Sequence, residues 1–289
     1  MRVEITKPGK RLFPDGTTKA DLAGYYEAVA DVMLPHIHDR PLNLERYPDG
    51  VGGHKIFQQH MPDHFPGWIA SATVAARDGE VRHVVADDAD TLVYLANQGA
   101  IALHAWLSRA DRVERPDRLI FDLDPASGDD PAGVRRAARE FGDLLRELGL
   151  EPFVMATGSK GFHVVVPLQR RHGFDDVRAF ARDVARVAVE RDPRRLTMEQ
   201  RKAKRGGRIF VDILRNGYAH TAVAPYSVRA RPSPTVAVPL DWDELGRARP
   251  DGWTIKTLPR RLDKRGDDPW ARIGSAAQSL GAARRALEK

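Results

Sequence analysis

The chain has 289 residues, 42% of them hydrophobic, enough for one large domain or two subdomains with sizeable cores, which excludes a disordered chain. Its 46 Lys and Arg against 40 Asp and Glu leave a net charge of +6, a balance that favours a polyanionic partner such as nucleic acid without deciding for it. Cysteine is absent, so disulfides, thiolate zinc sites and cysteine nucleophiles are excluded and any catalytic metal must sit on oxygen or imidazole. A polar start and the lack of a long apolar run predict a cytoplasmic chain without a membrane span.

In chain order, Thr18 with Asp21 reads as a capping box that opens a helix reaching about Leu34, with Leu22, Tyr25, Val29 and Met33 at helical spacing. A turn-rich stretch containing Pro41, Pro48, Gly52, Gly53, Pro62 and Pro66 runs to about Asp88, and the apolar run from about Ala89 to Trp106 predicts a helix. From Leu119 the pattern sharpens. A strand over 119–124 precedes a helix over 131–148, which Asp130 caps, Pro131 begins and Gly149 ends, with Val134, Ala138, Phe141, Leu145 and Leu148 as its buried stripe. Strands near 153–157 and 162–167, a helix near 175–191 and a strand over 209–213 follow. This order is βαββαβ, ferredoxin-like or RNA-recognition-like, and it predicts a central first strand between the third and fourth, with both helices on one face. The stretch from Asp267 to Lys289 reads as a linker and short helix packed by Trp270. The expected organisation is α+β: an N-terminal α/β subdomain over 1–110, a catalytic subdomain over 111–265 packed on it, and a linker and helix over 266–289.

The sequence Leu119-Ile120-Phe121-Asp122-Leu123-Asp124-Pro125 places two carboxylates at i and i+2 on an apolar strand, hence on one face. Two acids so close repel and resist burial unless a cation or a hydrogen-bond network compensates, so they are candidate ligands for divalent metal. The plainer alternative is a strand ending in a loop acid, which suits Asp124 better than Asp122. Asp212, inside Ile209-Phe210-Val211-Asp212-Ile213-Leu214, is a third such acid, its alternative role being a salt bridge to Arg208 or Arg215. The βαββαβ topology would bring Asp122, Asp124, His163 and Asp212 to the helix-free face, as in a two-metal carboxylate site for nucleotidyl transfer. Between the second and third strands, Thr157-Gly158-Ser159-Lys160-Gly161-Phe162-His163 combines glycines that admit phosphate oxygens with hydroxyl, ammonium and imidazole donors. It lacks the spacing of a Walker A loop, and it reads equally as an ordinary hairpin turn; His163 reads equally as a core histidine.

These motifs, with Thr221-Ala222-Val223-Ala224-Pro225-Tyr226-Ser227-Val228-Arg229-Ala230-Arg231, resemble the polymerase domain of bacterial ligase D, in the archaeo-eukaryotic primase superfamily, over nearly the whole chain. The resemblance implies that Asp122, Asp124 and Asp212 are catalytic and hold two Mn2+ or Mg2+ ions. It further implies that Ser159, Lys160, Gly161, His163, His104, Arg229 and Arg231 bind an NTP or dNTP. Lys10 and Lys19 match the family's lysines for the 5′-phosphate of a downstream DNA strand, and Phe57 a region where the family stacks aromatics on template. The alternatives for these are a solvated pair with Arg11 for Lys10, an early helix residue for Lys19 and core packing for Phe57. From Arg194 to Arg208, seven basic residues face the single acid Glu199, and Lys202, Lys204 and Arg205 are candidate contacts to template or primer phosphates.

The expected function is a template-dependent nucleotidyltransferase that fills gaps and extends ends in non-homologous end joining. DNA ends with a 5′-phosphate, Ku and a DNA ligase are the partners implied, in a cytoplasmic, nucleoid-associated setting. No ligase or phosphoesterase motif occurs within these residues, so a stand-alone polymerase or an excised domain is expected. The competing classes are a metal-dependent nuclease on the same acids and a noncatalytic DNA-end-binding protein.

Overall fold

The computed structural model describes residues 3–76, 79–126 and 130–288. In chain order its helices and strands are α1 Lys19–Ala28, α2 Ala30–Ile37, β1 Leu42–Arg46, β2 Ile56–Gln58, β3 Ser71–Ala76, β4 Gly79–Val84, α3 Ala89–Asn97 and β5 Ala100–Trp106. They continue with β6 Arg118–Asp124, α4 Pro131–Glu147, β7 Phe153–Ala156, β8 Phe162–Pro167, α5 Phe174–Arg191, β9 Leu196–Thr197 and β10 Ile209–Asp212. The last are β11 Thr221–Val223, β12 Val238–Leu240, α6 Leu258–Arg265 and α7 Gly281–Leu287. None of the helices among the described residues is long and apolar enough to cross a membrane.

These elements form two compact units that interleave along the chain. Unit 1 comprises 1–113, 221–237 and 253–268; unit 2 comprises 114–220, 238–252 and 269–289. Contiguous boundaries after 110 and 265 miss this exchange, because β11 returns to pair with β5 and the segment after 268 joins the second core.

In unit 1, the capping box forms as expected, with Thr18 Oγ1 accepting from the Asp21 N–H and the Asp21 carboxylate accepting from the Thr18 N–H. The helix expected to reach Leu34 is instead two helices, broken at Val29, with Pro35 inside the second. The expected helix 89–106 is also two elements. α3 ends at Asn97, Gly99 turns the chain at φ +75°, a conformation that favours glycine, and β5 follows. All but His104 of β5 is buried, so both of its faces are apolar and the run carries no alternation to betray a strand. The sheet of this unit runs β11-β5-β1-β4-β3, with β2 added to β1.

Unit 2 contains the βαββαβ order in the sheet β12-β7-β8-β6-β10-β9, with β6 between β8 and β10. Its first helix follows the sequence signals closely: the Asp130 carboxylate accepts from the Gly133 N–H at 2.7 Å, Pro131 lies at the first position, and Gly149 takes φ +75° after the end. Phe121 meets Phe141 of α4 with ring centroids 5.1 Å apart, so odd-numbered β6 residues face that helix and Asp122 and Asp124 the opposite side. The segment after 268 is no linker. Trp270 is 1% exposed and donates to the Val154 carbonyl, while Gln278 bonds the backbone at Pro167, Gln169 and Glu151.

Candidate functional site

Strand register builds a single row across unit 2. Asp122 lies opposite His163 of β8 on one side and Asp212 of β10 on the other, and Asp124, one step along the same face, lies opposite Phe210. Directly opposed strand residues project to the same side, so the four chemistry-bearing side chains anticipated from sequence share the face turned away from α4. Asp122, His163 and Asp212 are all buried, 3–8% exposed.

The row is electrostatically strained. Burial first, then the like charge of Asp122 and a smaller push from Asp212, lift the Asp124 carboxyl from 3.8 to about 6, against the pull of His163 and Arg215. Burial also raises Asp212, which the N–H of Leu214, donating to Asp212 Oδ1 at 2.7 Å, partly offsets. Asp122 Oδ2 lies 3.5 Å from both His163 Nε2 and Arg215 Nε. Arg215 thus approaches Asp122, whereas the sequence pointed to Asp212 as the acid that Arg208 or Arg215 would bridge. Arg208 instead donates to the carbonyls of Arg205, Lys204 and Pro193.

Three crowded carboxylates, one of them lifted by burial and then by its neighbours, are the donor chemistry of a divalent-cation site, because a cation relieves both the burial cost and the repulsion. Among the described residues no three His, Asp or Glu side chains form a ready ligand cluster. The fit therefore rests on donor chemistry and shared face.

The Gly-Ser-Lys-Gly turn closes onto the end of this row. The Thr157 N–H and hydroxyl both donate to the Gly161 carbonyl, at 3.1 and 2.9 Å. A Cβ at Gly161 would sit 2.1 Å from the Leu123 carbonyl oxygen and 3.4 Å from Asp124 Oδ1, so only glycine lets the turn lie against β6. Lys160 is exposed, Ser159 partly so, and His163 Nδ1 is buried without a hydrogen-bond partner among the described residues.

The remaining candidates belong to unit 1, apart from the basic loop. His104 sits on β5, not on a helix, with Nε2 3.5 Å from Glu45 Oε1. Burial would raise Glu45, but hydrogen bonds from His104 and Lys55 win and hold its carboxyl at about 2. Phe57 is 50% exposed on β2, its ring 6.4 Å from that of His104, which rules out the core-packing alternative. Arg229 and Arg231 are half-buried in a turn held by the Val228–Val236 bridge and by the Arg229 N–H donating to the Thr235 carbonyl at 2.7 Å. Lys19 is 8% exposed and within 3.4 Å of Thr6 Oγ1 and Asn97 Oδ1; burial, then Lys10 and Lys7, lower its pKa. Lys10 pairs with Asp49 at 3.0 Å.

In the basic loop of unit 2, Lys202 and Lys204 are exposed on a 3-10 turn. Arg205 is committed to the loop itself: it donates to the Glu199 and Gln200 carbonyls and lies 4.1 Å from the Phe210 ring. Asn216, four positions beyond the strand acid, carries no signal in the sequence that marks it, and Arg215 is named there only as a partner of Asp212, not of Asp122. Glu45 went unnamed too, although its place on the face opposite the apolar Leu42 and Leu44 in an alternating strand was a usable signal.

An antiparallel βαββαβ sheet with acids on the face turned away from α4, and a glycine-bounded turn against its central strand, defines an α+β protein of the RNA-recognition-like class. The chain belongs to the LigD primase-polymerase family: the family model described as "LigD, primase-polymerase domain" matches residues 18–270. It is similar to "Multifunctional non-homologous end joining protein LigD" of Pseudomonas aeruginosa, 38% identical over 98% of this chain and 34% of that protein. It is 31% identical to "Bifunctional non-homologous end joining protein LigD" of Bacillus subtilis over 92% of this chain and 43% of that protein. The chain thus spans between a third and a half of the length of these curated relatives. A solved structure titled "Polymerase Domain from Mycobacterium tuberculosis Ligase D in complex with DNA" aligns with a TM-score of 0.88 at 34% identity, covering 96% of this chain and 99% of that one.

Proposed function

We propose that the chain is a template-dependent nucleotidyltransferase that adds nucleotides to a primer 3′-hydroxyl, filling gaps and extending ends in non-homologous end joining. The observation that carries this reading is the row of Asp122, His163 and Asp212 across one face, with Asp124 beside it and the 157–161 turn against it. The family membership and the DNA-bound structural relative support it.

Asp122, Asp124 and Asp212 are the residues to hold Mn2+ or Mg2+, two ions in this reading; when bound, the cations activate the attacking oxygen and neutralise the leaving one. Lys160 offers an exposed ammonium, and the Gly158–Gly161 backbone admits a phosphate, so this turn is assigned to the triphosphate of an NTP or dNTP with Ser159 as a further donor. His163 presents Nε2 to Asp122 at 3.5 Å, and its assignment to the triphosphate follows the resemblance. The nucleotide role that the resemblance gives His104, Arg229 and Arg231 is part of the proposal. Lys10 and Lys19 are assigned to a DNA 5′-phosphate, since an anion offsets the Lys10 and Lys7 charges that, after burial, lower Lys19. Exposed Phe57 is assigned to template stacking, and Lys202 and Lys204 to backbone phosphates. Ku and a DNA ligase are the proposed partners.

The test is extension of a labelled primer on gapped DNA, with and without a downstream 5′-phosphate, with ribo- and deoxyribonucleotides in Mn2+. Incorporation that needs Asp122 and Asp124 and is enhanced by the phosphate is the expected outcome. Shortening of the labelled strand would favour a nuclease, and DNA binding without incorporation under any condition an end-binding protein.

A further inference from the structure

We propose that Arg215 is the resident counter-ion of Asp122, a guanidinium that occupies the place of a cation and must withdraw from this carboxylate when the cation binds. The inference rests on the reading that Asp122 is a cation ligand, and adds to it a residue outside the ligand set. Asp122 is 5% exposed and shares its face with two further acids, so its charge is costly without a close positive partner. Arg215 Nε lies 3.5 Å from Asp122 Oδ2, and its side chain remains 41% exposed, which leaves it a route back to solvent.

The backbone on either side of Arg215 is locked. Before it, the Leu214 N–H donates to Asp212 Oδ1 at 2.7 Å. After it, fully buried Asn216 accepts from the Ile120 N–H at 2.9 Å and donates to the Ile120 carbonyl at 2.7 Å, tying the 3-10 turn Leu214–Asn216 to β6. Withdrawal is therefore a side-chain motion on a fixed turn. A guanidinium and a divalent cation at the same oxygen repel each other, so cation binding carries the cost of expelling Arg215.

The test is Arg215→Gln, read in protein free of DNA and nucleotide. Mn2+ affinity is measured from the paramagnetic resonance of free Mn2+, and thermal unfolding is followed in chelator and in saturating Mn2+. The expected result is about tenfold tighter Mn2+ binding, equivalent to about 1.4 kcal/mol. A lower unfolding midpoint in chelator, with the gap to wild type closing in Mn2+, is expected alongside it. Arg215→Lys, which keeps the charge on a shorter stem, should fall between the two, and it serves as the readout if the Gln variant does not fold. Arg186→Gln, whose partner Asp183 is exposed 3.3 Å away, should change neither quantity. Wild-type protein that binds Mn2+ while Arg215→Gln binds it equally or more weakly overturns the counter-ion role. Wild-type protein that binds no Mn2+ overturns the cation reading of Asp122 itself.

Discussion

Replacing Asp124 by Asn should stabilise the metal-free protein at pH 8 while abolishing nucleotide incorporation. The carboxyl is lifted from 3.8 to about 6 by burial and by Asp122. The folded protein therefore holds this proton more tightly than the unfolded chain. The resulting stabilisation is fully present below about pH 4 and is lost as the pH rises through about 6. At about 1.4 kcal/mol per pH unit the lift corresponds to about 3 kcal/mol, and partial exposure of Asp124 reduces the expectation to about 2 kcal/mol. Asn carries the same shape without the charge, so urea unfolding in chelator should show the variant ahead by that amount at pH 8. At pH 4 the two should converge. Saturating Mn2+ should reverse the order at pH 8, because only the wild type can exchange the repulsion for a bound cation. A variant equal to or less stable than wild type in chelator at pH 8 would refute the argument that the acid row is strained.

Gly161→Ala should destabilise unit 2 by about 2 kcal/mol or more, since its Cβ would stand 2.1 Å from the Leu123 carbonyl oxygen and force β8 from β6; an unchanged thermal midpoint would contradict the close approach. Phe57→Ala should leave stability within about 0.5 kcal/mol but weaken binding to gapped DNA in fluorescence anisotropy, as expected for a half-exposed stacking residue. The double change Lys202→Ala with Lys204→Ala should lower the slope of log affinity against log salt by about 2. An unaltered slope would leave those ammonium groups simply solvated.

The parts of this molecule that were readable from the amino-acid order are those governed by neighbours within a few positions. The Thr18–Asp21 capping box, the Asp130–Pro131 opening of α4 and its Gly149 stop all depend on local hydrogen bonds and on the φ angles that proline and glycine prefer, and each formed where the pattern placed it. Alternation within β6 put Asp122 and Asp124 on one side of the strand, because side-chain direction repeats every two residues. Elsewhere the local signals are silent. The segment Ala100–Trp106 is apolar on both faces, and whether the run 89–106 continues as helix or turns at Gly99 into β5 was settled by strand partners distant in sequence, Leu42–Arg46 and Thr221–Val223. The same holds for the site. That His163, Asp122 and Asp212 stand in one row depends on the register of three strands; that Arg215 faces Asp122 depends on a turn anchored to Ile120; and that residue 161 must be glycine depends on a carbonyl of another strand. Residue types and periodicity name the groups available for chemistry, whereas distance, burial and charge coupling exist only once remote segments have been packed together.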